Sequence, residues 1–333
     1  MSDLNIFKQP KPFYLIFSVE FWERFGFYGM QAILTVYLVK IMGLAESESF
    51  VLFGAFSALL YGFMAIGGWI GDKVIGTKRA ITLGALVMMV GYILLGLSTA
   101  NAQTGSSSLI YIAMGFITVG NGLFKANPSS LLAKVYPEND PRLDGAFTLY
   151  YMAINLGALI SMVLTPIIAE KAGYGLAFGM SAAGLAITAV NFVLCKGMVA
   201  NVGSSADLQP VGILKMMTVI IGSILASFVC SYLLQQLTLA HIILVIAGVC
   251  IVALYFREAL KISGLERKKM LVAFILMLQG IVFFVLYFQM PTSLNFFAIH
   301  YVTHDILGFG FEPEQFKALN SFGIRVWTPE MGL

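Results

Sequence analysis

The chain has 333 residues, 59% of them hydrophobic and only 11% charged, with a formal net charge of +3 and a mean hydropathy of +0.87. Soluble domains carry about a quarter charged residues, so this composition excludes that class and indicates an all-α membrane protein with the lipid bilayer as its solvent. The basic residues are dispersed in loops and make no nucleic-acid footprint, which excludes nucleic acid as a partner.

Residues 1–13, "MSDLNIFKQPKPF", lack the charged, apolar and small-residue order of a cleaved signal peptide. The first helix is therefore expected to stay as an anchor. Hydropathy predicts nine membrane segments, at 14–40, 50–71, 79–100, 107–134, 144–169, 173–196, 213–234, 239–260 and 269–300. Turn-forming stretches such as "GDKVIGTKR", "YPENDPRLD" and "NVGSSADLQP" separate them. The last of these is polar and ends in Pro210, the best domain boundary in the chain.

Segment one contains "VEFWERFGFYG", with Glu20, Glu23 and Arg24 inside an apolar run. Their i, i+3, i+4 spacing puts Glu20 and Arg24 on one helix face, and Tyr28 extends it by a turn. A charge at mid-membrane costs roughly 2.5–3.5 kcal/mol, so these groups should face a partner or a water-filled cavity. Segment two adds the hydroxyl of Tyr61. Segment four reads "GNGLFKANPSS", in which Lys125 is flanked by Asn121 and Asn127. An ammonium at that depth is a strong point charge. Segment five reads "YYMAINLGAL", with Tyr151 and Asn155 one turn apart.

Small residues at Gly67/Gly71, Gly120/Gly122 and Gly157 allow close helix approach. Pro128, Pro166 and Pro291 are expected to interrupt their helices, as is tolerated beside cavities or neighbouring helices. Two cations and two carboxylates in one cavity suit a carboxylate ligand and an exchangeable proton. That chemistry is expected of an ion-coupled carrier for anionic or zwitterionic solutes.

The short-loop Lys/Arg bias puts the N-terminus in the cytoplasm. It rests on Lys8, Lys11, Lys73, Lys78, Arg79, Lys134, Arg142 and Lys196, against Lys40 and Lys171 on the other side. Cys195, Cys230 and Cys250 have no ligand spacing and read as core residues. His300, His304 and Asp305 read as a polar helix end rather than a metal site. No nucleophile elbow or triad is present, so the chain is not expected to be an enzyme.

At these residues the chain resembles the proton-dependent oligopeptide transporters of the major facilitator superfamily. "EFWERFGFYG" is similar to that family's first-helix signature, "GGWIGDKVIGTKRAITLGALVMMVG" to its second-to-third-helix signature, and "FTLYYMAINLGAL" to its fifth-helix signature. "GNGLFKANPSSLL" and "QMPTSLNFFAI" resemble the bacterial dipeptide and tripeptide permease subgroup.

The resemblance implies a bacterial inner-membrane symporter importing di- and tripeptides with protons, with no other cofactor, by alternating access of two six-helix bundles. It implies that Arg24 and Lys125 hold the peptide carboxylate and that Tyr28 and Tyr61 line that pocket. Tyr151 and Asn155 would bind the peptide backbone and amino end. Glu20 and Glu23 would handle protons with Arg24 and Lys125, and Asp72 and Lys73 would belong to a cytoplasmic gating loop.

The implied domains are a cytoplasmic tail (1–13), a six-helix N-terminal bundle (14–200) and a linker with an inserted hairpin (201–266). The first helix of an incomplete C-terminal bundle (267–320) follows. Phe27 and Gln279 stand where the family commonly has tyrosine and glutamate. After "EPEQFKALN" the resemblance stops, and "SFGIRVWTPEMGL" (321–333) is not family-like. The expectation is a C-terminally truncated copy lacking about five core helices. The competing readings are a non-transporting membrane remnant or assembly partner, and a facilitator for another solute.

Overall fold

The computed structural model of the chain describes residues 8–102, 108–302, 305–306, 309–310 and 312–319. The expected tail, 321–333, and His304 lie outside the described residues. Among the described residues eleven α-helices follow in order: α1 (Lys11–Lys40), α2 (Glu46–Trp69), α3 (Thr77–Ala102), α4 (Ser108–Lys125), α5 (Asn127–Ala133), α6 (Arg142–Ala172), α7 (Tyr174–Cys195), α8 (Ile213–Gln235), α9 (Leu237–Lys261), α10 (Gly264–Tyr287) and α11 (Ser293–Tyr301). Eight spans among the described residues are long and apolar enough to cross a membrane, with α4 and α5 counted as one. The 30-residue α1 is long enough as well, but its charges interrupt the apolar run. Its spanning rests on the helices that surround it.

Packing here comes from backbone proximity rather than from hydrophobic segregation, since lipid is as apolar as leucine. α1 packs on α6 and α7, α3 on α4 and α7, and α2 on α4. Gly67 and Gly122 make the α2–α4 approach possible: a Cβ on Gly67 would lie 1.9 Å from the Gly122 carbonyl oxygen. Gly157 does the same between α6 and α1, where a Cβ would meet the Phe21 carbonyl at 2.5 Å.

Two of the three expected proline interruptions form and one does not. Pro128 does break its segment, with α4 ending at Lys125 and α5 starting at Asn127, but Pro166 lies buried inside a continuous α6. A proline's fixed φ suits a helix, and the single donor it removes is tolerated where neighbouring helices pack around it. The ninth segment divides at Pro291 into α10 and α11, and Thr35 Oγ1 of α1 donates to the freed Pro291 carbonyl at 2.8 Å.

The stretch that ends in Pro210 packs against the start of α3. Asp207 accepts from the Thr77 and Lys78 backbone N–H groups at 2.9 and 3.0 Å, capping α3 from 130 residues away. Arg79 donates to the Ala206 and Gln209 carbonyls. Asp207→Ala should cost about 0.5–2 kcal/mol of local stability. Amide exchange should then rise at the start of α3 and across 201–210, while unchanged exchange there would contradict the capping role.

α8 leans on α4, whereas α10 buries none of its residues within the chain. After α11, a two-residue antiparallel pairing joins β1 (Asp305–Ile306) to β2 (Phe309–Gly310). The following segment, 312–319, docks on the bundle. Gln315 Nε2 donates to the Val163 carbonyl at 2.9 Å and Lys317 Nζ to the Ala32 carbonyl at 2.6 Å.

A hydrogen bond to the Glu170 carboxyl, then burial and the nearby Glu170 and Glu314 charges, raise Glu312 from 4.5 to about 7. Burial lowers Lys317 from 10.5 to about 7, opposed by Glu314. The signs differ. The raised carboxyl stabilises docking fully below pH 4.5 and loses that contribution as pH rises to about 7. The lowered amine contributes above pH 10.5 and loses that contribution as pH falls to about 7. Docking of 312–319 should therefore be weakest near pH 7, read as a minimum there in amide protection relative to the intrinsic base-catalysed exchange rate. A profile that changes in one direction only would contradict it.

Candidate functional site

α1, α4 and α6 meet around the charges that the sequence placed inside the membrane. Glu20 and Glu23 are fully buried and Arg24 is 3% exposed. Unpaired, such groups could not stay ionised away from water. Glu23 takes Arg24 side-on: Nη2 donates to Oε1 at 2.6 Å and Nε donates to Oε2. This paired-donor contact is the stronger kind of carboxylate–guanidinium bond. Glu20 lies 3.4 Å from Arg24 Nε, the i, i+4 contact expected from spacing. The adjacent Glu23 is nevertheless the tighter partner.

Lys125, at the end of α4, donates to Glu20 Oε1 at 3.3 Å. Its side chain is 24% exposed, so it is the open edge of the cluster. Asn127 holds the break behind it, donating to the Leu123 carbonyl at 2.6 Å and the Gly67 carbonyl at 3.3 Å. The Arg24 guanidinium carbon stands 4.9 Å from the Phe27 ring centre and 5.9 Å from that of Tyr28. These are cation–π distances. The phenylalanine at 27 thus keeps its contact with the cation although it carries no hydroxyl.

Two further residues belong to the cluster and were not predicted there. Tyr150 donates its hydroxyl to Glu20 Oε2 at 2.6 Å. Asn121 Nδ2 lies 3.5 Å from Glu23 Oε1, and its buried Oδ1 has no hydrogen-bond partner among the described residues.

Tyr61 stands within electrostatic reach of Arg24, Glu23 and Tyr28, though no hydrogen bond joins it to them among the described residues. Tyr61 is 46% exposed and lines an apolar cavity of about 770 Å³ between α2 and α10. Its ring meets Phe288 edge-on at 6.0 Å. Tyr151 is 49% exposed, and Asn155 donates to the Tyr151 carbonyl at 2.9 Å. The carboxylates and Arg24 are sealed among helices, and Lys125 alone of the four keeps a partly open face. Asp72 pairs with Lys134 at 3.0 Å, joining the α2–α3 turn to the end of α5, while Lys73 is exposed. His300 Nε2 meets Glu46 Oε1 at 2.9 Å at the start of α2. Among the described residues no group of His, Cys, Asp and Glu is arranged to hold a metal.

Residues 78–331 match the family model described as the POT family. Dipeptide and tripeptide permease A of Chromobacterium violaceum is 55% identical over 332 residues, covering 100% of this chain and 66% of that protein. The permease of the same name from Pectobacterium carotovorum subsp. carotovorum is 54% identical over 327 residues, covering 98% and 63%. The chain thus spans just under two thirds of these curated relatives.

Among solved structures, a bacterial homologue of the human drug peptide transporters PepT1 and PepT2 superposes with a TM-score of 0.87 at 36% identity, over 96% of this chain and 70% of that one. Peptide transporter POT in complex with sulfate gives 0.83 at 28% identity, over 98% and 68%.

Proposed function

Because the chain belongs to the POT family, we propose that it supplies the N-terminal part of a symporter that imports di- and tripeptides with protons. The reading concerns a carrier of the relatives' full length, since alternating access needs one repeat to move against another. The observation that carries it is the position of Glu20, whose carboxylate binds Lys125, Arg24 and Tyr150 at once.

The cluster of Glu20, Glu23, Arg24 and Lys125 holds two negative and two positive charges, so it is balanced while empty. A peptide carboxylate arriving at Lys125 would leave one buried negative charge in excess, and uncompensated charge is costly in such a site. A proton on Glu20 restores the balance and frees Lys125 from its present partner. Peptide and proton therefore favour each other's binding, which is a reciprocal coupling.

In this reading Arg24 stays with Glu23 and fixes the field, while Tyr28 and Tyr61 line the carboxylate pocket. Tyr151 and Asn155 meet the peptide backbone and amino end. Asp72 and Lys73 belong to the gating turn, where the Asp72–Lys134 pair would have to open. The Lys/Arg bias of the loops supports a cytoplasmic N-terminus in a bacterial inner membrane. The coupling ion is the proton, with no other cofactor and no enzymatic step.

The test is uptake of a fluorescent dipeptide into proteoliposomes. They would hold this chain completed with the C-terminal third of the Chromobacterium violaceum permease. Uptake should rise when the outside is acidified. Uptake indifferent to the gradient would overturn proton coupling, and uptake no faster than in empty liposomes would overturn the peptide reading.

A further inference from the structure

At the end of the bundle that carries the α2–α3 turn, α3, α7 and α8 enclose a groove of about 590 Å³. That volume is within the roughly 300–1,000 Å³ of small-molecule sites. Leu83, Leu86, Phe192, Val193, Met216 and Ile220 form its apolar walls. The groove exists because α8 packs along α4 rather than along α3 or α7. At the α4–α8 contact a Cβ on Gly115 would lie 2.2 Å from the Ser227 carbonyl oxygen. Leu86 and Val193 are exposed on the outer surface of their helices, so the groove opens sideways toward lipid.

Lys78, Arg79 and Lys196 line the same groove. Lys78 Nζ donates to the Val199 and Ala200 carbonyls, each at 3.0 Å. Arg79 donates to the Ile75, Ala206 and Gln209 carbonyls. These acceptors orient the two cations without neutralising them. Among the described residues none of the three cations is in a salt bridge. Asp207 also lines the groove, but its two oxygens already accept from the Thr77, Lys78 and Ser204 backbone N–H groups and from Ser204 Oγ. Three cations therefore stand against one occupied carboxylate, at the mouth of an apolar slot between membrane helices.

We propose that this groove binds an anionic phospholipid from the surrounding membrane. The lipid phosphate meets Lys196 together with Arg79 and Lys78, and one acyl chain lies along Leu86, Val193 and Ile220. Basic pockets between membrane helices favour anionic headgroups, and each Lys or Arg near the surface strengthens binding about fivefold. A soluble anion would use the cations and leave the apolar walls wet. A zwitterionic lipid would use the walls and bring its own cation against these three. The site lies on helices and loops separate from the Glu20–Lys125 cluster, so it does not depend on the transport reading.

The test is native mass spectrometry of the purified 333-residue chain in detergent. It would be titrated with phosphatidylglycerol or phosphatidylethanolamine of identical acyl chains. Phosphatidylglycerol should be retained at least about fivefold more strongly, and Lys196→Gln should reduce its affinity about fivefold while leaving phosphatidylethanolamine unchanged. Leu86→Trp, which fills the groove from an exposed position, should weaken both lipids. Equal retention of the two lipids would overturn the proposal, as would an unaltered Lys196→Gln or an unaltered Leu86→Trp. Displacement of phosphatidylglycerol by equimolar glycerol phosphate would show an anion site without an acyl groove, and would also overturn it.

Discussion

Lys125→Ala is expected to abolish gradient-driven dipeptide uptake by the completed carrier and to weaken dipeptide binding about ten- to a hundredfold. That range is the worth of one hydrogen bond to a charged group, about 1.5–3 kcal/mol. Lys125 is 24% exposed, so its removal leaves no void sealed in the core. It does leave Glu20 without its α4 partner, although Arg24 at 3.4 Å and the Tyr150 hydroxyl at 2.6 Å remain. The chain should therefore fold, and the loss should appear in function.

A dipeptide whose C-terminus is amidated supplies the control. It should bind the unaltered carrier as weakly as the free-acid peptide binds Lys125→Ala, and the substitution should then cost the amide little. Such a cycle isolates the contact between the ammonium and the peptide carboxylate. Equal binding of acid and amide by the unaltered carrier would remove Lys125 from the role assigned to it.

Arg24→Met should act on stability first. Glu23 is fully buried and receives two donors from Arg24. Without them it keeps Asn121 Nδ2 at 3.5 Å. Breaking a buried pair by removing one partner costs about 3–5 kcal/mol, because a charge is left without compensation. Unfolding in detergent should show that loss for Arg24→Met and recover most of it in the Arg24→Met, Glu23→Gln double variant, which leaves no orphan charge. A single variant as stable as the parent would mean that Glu23 is not held ionised by Arg24.

Much of this architecture was readable from hydropathy, because a backbone in lipid must satisfy itself and long apolar runs can only be helices. The break between α4 and α5 was readable from Pro128 and its asparagine. The break at Pro291, which separates α10 from α11, was readable in the same way. Pro166 misled, since a proline signals a possible interruption and tertiary packing decides whether one occurs. The docking of Asp207 on α3 joins residues 130 apart in sequence, and no local pattern encodes that distance.

Within the site, spacing correctly brought Glu20 to Arg24 but could not show that the neighbouring Glu23 binds the guanidinium more closely. The contact of Tyr150 with Glu20 was also readable. Ala146, Ala153 and Gly157 are small and buried, and at i−4, i+3 and i+7 they share the face of Tyr150. That stripe marks the side turned to α1, and Tyr151 lies about 100° away from it. Asn121 likewise sits one turn before Lys125 and could have been assigned with it.

In the proposed mechanism a peptide carboxylate takes Lys125 from Glu20 only as Glu20 takes a proton. Linkage makes this countable: dipeptide binding to the completed carrier should absorb about one proton. Titration calorimetry in buffers of different ionisation enthalpy would read that number. About one proton per free-acid dipeptide, falling toward zero for the amidated peptide and in Glu20→Gln, is the predicted result. Binding of the free-acid peptide at undiminished affinity with no proton absorbed would contradict it.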